Sequence, residues 1–88
     1  MKTIWKYEIS SPDLSIQVPK GGKVLTVQTQ HGIACIWILI DLTKDLESRR
    51  FITYGTGHRI DISEEQLEYI GTWQMSNGNL IFHTFEVK

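Results

Sequence analysis

The sequence predicts a mainly β domain spanning residues 1–88, with about six antiparallel strands in a strongly bent sheet or a small barrel. Three observations support this prediction. Apolar and polar residues alternate along most of the chain, which is the pattern of half-buried strands. Clusters of Gly, Pro, Asn, Asp and Ser divide the chain into short segments. An Asn-Gly pair between two apolar runs is the strongest short-range signal for a β-hairpin.

The first half of the chain contains four predicted strands, and turn residues end each of the first three. These strands cover residues 4–9, 14–18, 23–30 and 33–40. In the first strand, Trp5, Tyr7 and Ile9 share one face. Gln30-His31-Gly32 is predicted to be a hairpin turn. The fourth strand has apolar residues on both faces, so we expect it at the centre of a sheet or under a partner.

A charged segment and a further strand follow. Residues 41–49 are predicted to form either one helical turn or a loop, because Leu42 and Leu46 lie four positions apart. Residues 50–55 return to strand character, and residues 59–62 are expected to be extended. The charged segment therefore lies between two predicted strands. Its sequence pattern is compatible with a helical turn and with a loop.

One short helix is predicted near residues 63–68. Ser63 is a favourable N-cap residue, and Gln66 three positions later completes a capping-box pattern. Strand character resumes at Tyr69. The helix is therefore expected to be only about one turn long, because a turn takes 3.6 residues.

The closing hairpin is predicted around Asn77-Gly78, since a type I′ turn needs positive φ at both central residues. This turn sets the register of the two strands. The predicted partners are Met75 with Leu80, Gln74 with Ile81, Trp73 with Phe82, and Thr72 with His83. The face with Met75, Trp73, Leu80 and Phe82 is predicted to be core. The other face is predicted to meet solvent or another subunit, and its residues are Ile70, Thr72, Gln74, Ile81, His83 and Phe85.

The composition limits the possible functions. Nine Lys and Arg against ten Asp and Glu give a formal net charge of −1, so the chain lacks the broad basic field of non-specific nucleic-acid binders. The single cysteine, Cys35, lies in an apolar run and is predicted to be buried rather than reactive. A chain without a disulfide fits a reducing cytoplasm. No signal-peptide pattern and no apolar run of roughly 18 residues is present, so no membrane partner is expected.

No metal, cofactor or catalytic group is expected. The three histidines are far apart in the sequence, and none has a neighbouring ligand at the spacing of a zinc site. No Gly-x-Ser-x-Gly elbow is present, and Ser63 is explained as a helix cap. The carboxylates lie in predicted loops or on a predicted helix face, where charges are ordinarily solvated. The sequence therefore favours a protein that is not an enzyme.

The tetrapeptide Gly55-Thr56-Gly57-His58 is the candidate ligand-binding site. Glycines let the backbone approach a ligand closely, and backbone amides with the Thr56 hydroxyl could hold a phosphate. Nearby arginines would supply charge. The aromatic rings that could stack on a base are Tyr54 next to the loop, and Trp37 or Trp73 if they reach the pocket. The predicted ligand-binding residues are Arg49, Arg50, Tyr54, Gly55, Thr56, Gly57, His58 and Arg59. The alternative is that the two glycines form only a bend at the end of a strand.

Several motifs occur together in a fixed order along the chain. They are Ile4-Trp5-Lys6-Tyr7-Glu8-Ile9, Val18-Pro19-Lys20-Gly21, Val24-Leu25-Thr26-Val27-Gln28, Tyr54-Gly55-Thr56-Gly57-His58, Tyr69-Ile70-Gly71-Thr72 and Leu80-Ile81-Phe82-His83. In this respect the chain resembles a family of short bacteriophage and prophage proteins of unknown function. The resemblance implies a phage-encoded product that acts in the cytoplasm of the bacterial host. It supplies no catalytic residues.

Two functions are compatible with these observations. The first is a binding protein that sequesters an anionic, nucleotide-type signal of host defence, as a sponge would. The second is a protein-interaction module that inhibits or adapts a host protein through an apolar face. A homo-oligomer is expected in addition, because a core of this size is small and the closing hairpin has apolar residues on both faces.

Overall fold

The computed structural model describes all 88 residues and contains seven strands in two antiparallel sheets. The strands are β1 (Lys2–Glu8), β2 (Asp13–Pro19), β3 (Lys23–Gln30), β4 (Ile33–Asp41), β5 (Leu46–Gly55), β6 (Leu67–Met75) and β7 (Leu80–Val87). One sheet has the order β1-β4-β3 and the other β2-β5-β7-β6. The mainly β prediction is confirmed. The structure has two separate sheets in place of the predicted single bent sheet or barrel, because no strand of one sheet pairs with a strand of the other and neither sheet closes on itself.

The core lies between the two sheets. The central strand β4 supplies Ile36, Ile38 and Ile40, and the four-stranded sheet supplies Phe51 and Val18. Each of these side chains is at most 2% exposed. The central position predicted for residues 33–40 is therefore confirmed. The same strand also carries apolar side chains on its outer face. The other sheet does not cover that face.

Both predicted hairpin turns are present. His31 and Gly32 have φ values of 51° and 78°, and Asn77 and Gly78 have φ values of 55° and 88°. The Asn79 N–H donates to the Ser76 carbonyl at 3.1 Å, which closes the second turn. The β6–β7 register from Met75–Leu80 to Thr72–His83 is the predicted one. Turn chemistry alone was enough to set this register.

Ile70 lies on the core face, whereas the sequence placed it on the opposite face. The β6–β7 register shifts between Tyr69 and Gly71, so Ile70 is an extra residue in β6. A bulge of this kind breaks the period of two and turns the following side chains over. Ile70 consequently packs against the core cluster. No alternation pattern reveals such a shift.

Two further elements differ from the sequence prediction. Residues 46–49 belong to β5, because they pair with β2 from Pro19–Leu46 onward, so the helical turn or loop is confined to residues 42–45. The predicted helix is a single 3₁₀ turn, Glu64–Gln66. Ser63 makes no side-chain capping bond, and only its carbonyl accepts the Gln66 N–H. Residues 59–62 are irregular rather than extended in a strand.

No helix in the structure combines the length and the apolar character needed to cross a membrane.

Candidate functional site

The Gly55–His58 segment forms a tight turn at the end of β5. The His58 N–H donates to the Gly55 carbonyl at 3.0 Å, and Gly57 has a φ of 87°, a conformation that favours glycine. The Thr56 N–H donates to the Ile81 carbonyl on β7 at 3.1 Å. Two of the loop amides are thus used within the chain. The Gly57 N–H remains available for a bound acceptor.

Thr56 turns toward the outer face of the four-stranded sheet. Its Oγ1 lies 2.7 Å from Nε2 of His83 on β7, and Nδ1 of His83 lies 2.9 Å from Oγ1 of Thr72 on β6. The Thr72 hydroxyl is in turn 2.6 Å from the Tyr69 hydroxyl. This hydrogen-bonded chain of four side chains attaches the turn to two neighbouring strands. Thr56 is therefore an anchor of the turn in this structure.

His58 turns the other way and lies across Gly55. A Cβ atom at Gly55 would be 2.8 Å from Cε1 of the His58 ring, so only glycine leaves room for this ring position. The ring borders a cleft of about 340 Å³. Trp73, Met75 and Phe82 line the cleft, together with Ile9, Thr53 and the Ser10–Pro12 segment. The side chains of Thr56 and His58 thus lie on opposite faces of the four-stranded sheet.

The aromatic wall of this cleft is held in place by buried hydroxyl groups. Trp73 and Phe82 are stacked, with ring centroids 4.7 Å apart. The Trp73 Nε1–H donates to Oγ1 of Thr84 at 2.9 Å, and that oxygen is also 2.9 Å from Oγ1 of Thr53. Thr84 is completely buried, yet its hydroxyl is satisfied. The cleft is therefore preformed, as ligand sites usually are.

The three arginines do not gather at the turn. Arg49 Nε and Nη2 donate to both Glu86 carboxylate oxygens, at 2.6 and 2.7 Å, and its Nη1 donates to the Gly22 carbonyl. Arg50 binds both carboxylate oxygens of Asp13, at 2.9 and 2.7 Å. Hydrogen bonding to these carboxylates raises the pKa of each of the two guanidinium groups.

Strand geometry explains this separation. Neighbouring residues of a strand face opposite sides, so Arg49 points between the sheets while Arg50 points outward. Arg50 also lies five residues before Gly55, about 17 Å along β5. Tyr54 is on the outer face, in an edge-to-face contact with Phe85 at 6.1 Å. Only Arg59 adjoins the turn, and its Nε lies 2.9 Å from the Asp61 carboxylate.

Sequence reasoning named Trp73 as a possible stacking ring but missed its partner Phe82 and the anchor of the turn. The hairpin register already paired Trp73 with Phe82 and Thr72 with His83. The sequence did not predict that this hairpin lies beside the end of β5. That position depends on the pairing of Gly55 in β5 with Phe82 in β7. No group of three or more His, Cys, Asp or Glu side chains is placed to hold a metal ion.

Replacing Thr56 with valine should loosen the turn while preserving the sheets. A net hydrogen bond contributes about 1 kcal/mol, so we expect a loss of this size at most in the free energy of unfolding. Amide hydrogen exchange at His58 should become faster, because its turn loses the contact with His83. Thr29→Val is the matched control, since exposed Thr29 makes no side-chain hydrogen bond. Equal exchange rates in the two variants would contradict an anchoring role.

The profile of one protein family matches the chain over residues 1–88, and its description is "Domain of unknown function (DUF7352)". No curated protein and no solved structure matches the chain. A functional conclusion must therefore start from the geometry of the turn, the cleft and the charged side chains.

Proposed function

The chain belongs to the DUF7352 family, a family of unknown function, and we propose that it is a non-enzymatic binding protein for a small nucleotide-type ligand. One observation carries this proposal. Gly55 leaves room for the His58 ring at the edge of a preformed cleft, whose wall is the stacked Trp73–Phe82 pair. An aromatic ring offers a nucleobase a stacking surface, and an imidazole beside it can form a hydrogen bond with the edge of the base.

The proposed base position is against the aromatic wall. The cleft is lined mainly by apolar atoms, and the His58 ring nitrogens make no hydrogen bond within the chain. They are thus free to bond to a polar edge of the base. The volume of the cleft is about 340 Å³, which lies at the lower end of the range of small-ligand pockets. A base fits such a volume, while the rest of the ligand would extend toward the turn.

The proposed phosphate contacts are the Gly57 N–H and Arg59. Arg59 pairs with Asp61, but their side chains are 90% and 77% exposed. Such surface pairs contribute at most about 1 kcal/mol, so Arg59 can exchange Asp61 for a phosphate. An arginine–phosphate contact is charge-assisted and can be bidentate. This arrangement retains Gly57, His58 and Arg59 as ligand contacts, with Gly55 making room for the His58 ring. Thr56 is the anchor of the turn, and Arg49, Arg50 and Tyr54 lie outside the site.

The biological setting that we propose follows from the resemblance to short phage and prophage proteins. A phage product of this kind would act in the cytoplasm of the bacterial host and sequester a nucleotide-derived defence signal. Binding without turnover is sufficient for that role. The ligand should then be recoverable unchanged after the protein is denatured, and recovery of a cleaved ligand would indicate a hydrolase.

Replacing Arg59 with alanine should weaken ligand binding by about tenfold or more, because a charge-assisted contact contributes about 1.5–3 kcal/mol. The measurement is a thermal-shift panel of cyclic dinucleotides, cyclic oligonucleotides and ADP-ribose derivatives, since a tight ligand raises the melting temperature. Arg50→Ala is the control, because it also removes an arginine that pairs with an aspartate, but at a position far from the turn. A panel in which no compound stabilises the wild-type protein would exclude this function.

A second candidate function is protein interaction through the outer face of the three-stranded sheet. Ile4 and Ile33 are 52% and 45% exposed on this face, and the side chains of Trp37 and Leu39 lie between them. A second copy of the chain or a host protein could cover these residues. Ile4→Lys should abolish such an association, and sedimentation velocity with and without host lysate distinguishes the two partners. A monomeric wild-type protein without a lysate partner would exclude it.

A further inference from the structure

Four lysines gather around one cleft at the end of the molecule remote from the Gly55–His58 turn. We call this site, lined by Lys2, Lys20, Gly21, Lys23, Leu39, Ile40, Asp41 and Lys44, the lysine cleft. Its volume is about 280 Å³. The chain as a whole has a formal net charge of −1. The positive charge is therefore concentrated locally at this cleft, because the chain as a whole has no excess of positive charge.

The fold brings these lysines together from three parts of the chain: the start of β1, the β2–β3 connection and the turn after β4. Lys2 begins β1 and Lys23 begins β3, and they flank the end of β4 as partners of Asp41 and Leu39. Lys20 and Lys44 lie in two tight turns. The turns are joined by a hydrogen bond from the Lys20 N–H to the Asp45 carbonyl at 2.8 Å. The cleft thus rests on strand ends and on paired backbone.

The four lysines have no carboxylate partner, unlike the arginines of this chain. None of them forms a salt bridge, whereas Arg49, Arg50 and Arg59 each bind a carboxylate. Lys6, outside the cleft, donates to the Gln30 side chain at 2.7 Å. The cations that are free to bind an anion are therefore concentrated in the lysine cleft.

Asp41 lines the lysine cleft, and Glu47 binds the Gly21 amide beside it. Asp41 Oδ1 accepts hydrogen bonds from the Thr43 hydroxyl at 2.7 Å and the Thr43 N–H at 3.0 Å, which lowers the pKa of Asp41 to about 2. The same atom is 3.7 Å from the N-terminal ammonium group. Glu47 accepts the Gly21 N–H at 3.2 Å. Asp41 therefore keeps its negative charge and attracts Lys44, so one carboxylate in the cleft opposes four lysines and an excess of positive charge remains.

We propose that the lysine cleft binds a compact polyphosphate group of two or three phosphates. Four lysines that form no salt bridge line this one cleft, and a multiply charged anion would attract several of them at once. Lysine binds phosphate as a compact point charge and needs no fixed planar geometry. The small volume fits a short polyphosphate better than a nucleic-acid strand. This site is distinct from the proposed nucleotide cleft, because β1 separates Lys2 from Ile9 by about 24 Å.

The direct test is calorimetric titration of the whole chain with sodium tripolyphosphate at low and moderate salt. We expect binding to the wild-type protein, a loss of affinity with added salt, and affinity about tenfold lower in the Lys23→Gln/Lys44→Gln double variant. Lys6→Gln/Lys88→Gln is the control, because it removes the same charge from outside the cleft and should bind as the wild type does. Melting of both variants without ligand verifies that they fold.

Three outcomes would overturn the proposal: no binding of tripolyphosphate, equal weakening in both double variants, or binding of a single-stranded oligonucleotide in preference to tripolyphosphate. Arg50 lies outside both sites, so Arg50→Ala should leave tripolyphosphate binding unchanged. The lysine double variant tests the lysine cleft and Arg59→Ala tests the nucleotide cleft, so the failure of one proposal leaves the other testable.

Discussion

Replacing Arg49 with alanine is expected to lower the free energy of unfolding by about 3 kcal/mol, the low end of the range for breaking a buried ion pair. The side chains of Arg49 and Glu86 are only 16% and 12% exposed and share two short hydrogen bonds. Arg49 also donates to the Gly22 carbonyl in the turn between β2 and β3. The substitution therefore leaves a carboxylate and a carbonyl without their donor in a desolvated position.

Urea unfolding measures this loss, and the neighbouring residue provides the control. Arg50 forms an equally well-oriented pair with Asp13, but those side chains are 46% and 53% exposed. Arg50→Ala should therefore cost at most about 1 kcal/mol. The Arg49→Met/Glu86→Leu double variant should recover most of the stability, because it removes both charges together. Similar losses for Arg49→Ala and Arg50→Ala would show that burial does not distinguish the two pairs.

Local rules were sufficient to predict the hairpins of this fold. Gln30-His31-Gly32 and Asn77-Gly78 fix both their turns and the pairing of the adjoining strands, because few residues adopt positive φ. The pairing of β2 with β5 was not predictable in the same way. It joins residues that are distant in the sequence. Leu46–Arg49 resembles a charged loop because its two inward-facing residues, Glu47 and Arg49, are charged, and they bind the Gly21 N–H and the Glu86 carboxylate.

The candidate site was predictable only in part, for a related reason. Adjacency in the sequence placed Arg49, Arg50 and Tyr54 with the Gly55–His58 turn, but strand pleating and distance send them to other surfaces. Conversely, Trp73 and His83 reach the turn only through the tertiary pairing of β5 with β7. The four lysines of the lysine cleft are likewise scattered in the sequence. The positions of the charged groups in this protein depend on its tertiary structure, so no local sequence motif predicts them.

Replacing Gly71 with alanine is expected to destabilise the protein by about 2 kcal/mol, because overpacking a core contact costs about 1–3 kcal/mol. Gly71 lies on β6 where it faces β3, and an added Cβ would be 2.8 Å from Cγ1 of Val27. Val27 is 3% exposed and belongs to the core cluster. The φ of Gly71 is not positive, so the backbone itself accepts alanine. Any loss in urea unfolding therefore reports the close approach of the two sheets.

A double variant separates this contact from other effects. Val27→Ala removes the methyl group that the new Cβ would meet, at the expense of a small cavity. Gly71→Ala should therefore cost clearly less in the Val27→Ala background than in the wild type, with a coupling energy of at least about 1 kcal/mol. Additive losses would mean that Val27 is not the obstacle. A loss below about 0.5 kcal/mol for Gly71→Ala alone would mean that the sheets separate easily, and the absence of a side chain at Gly71 would then have no role in holding β3 against β6.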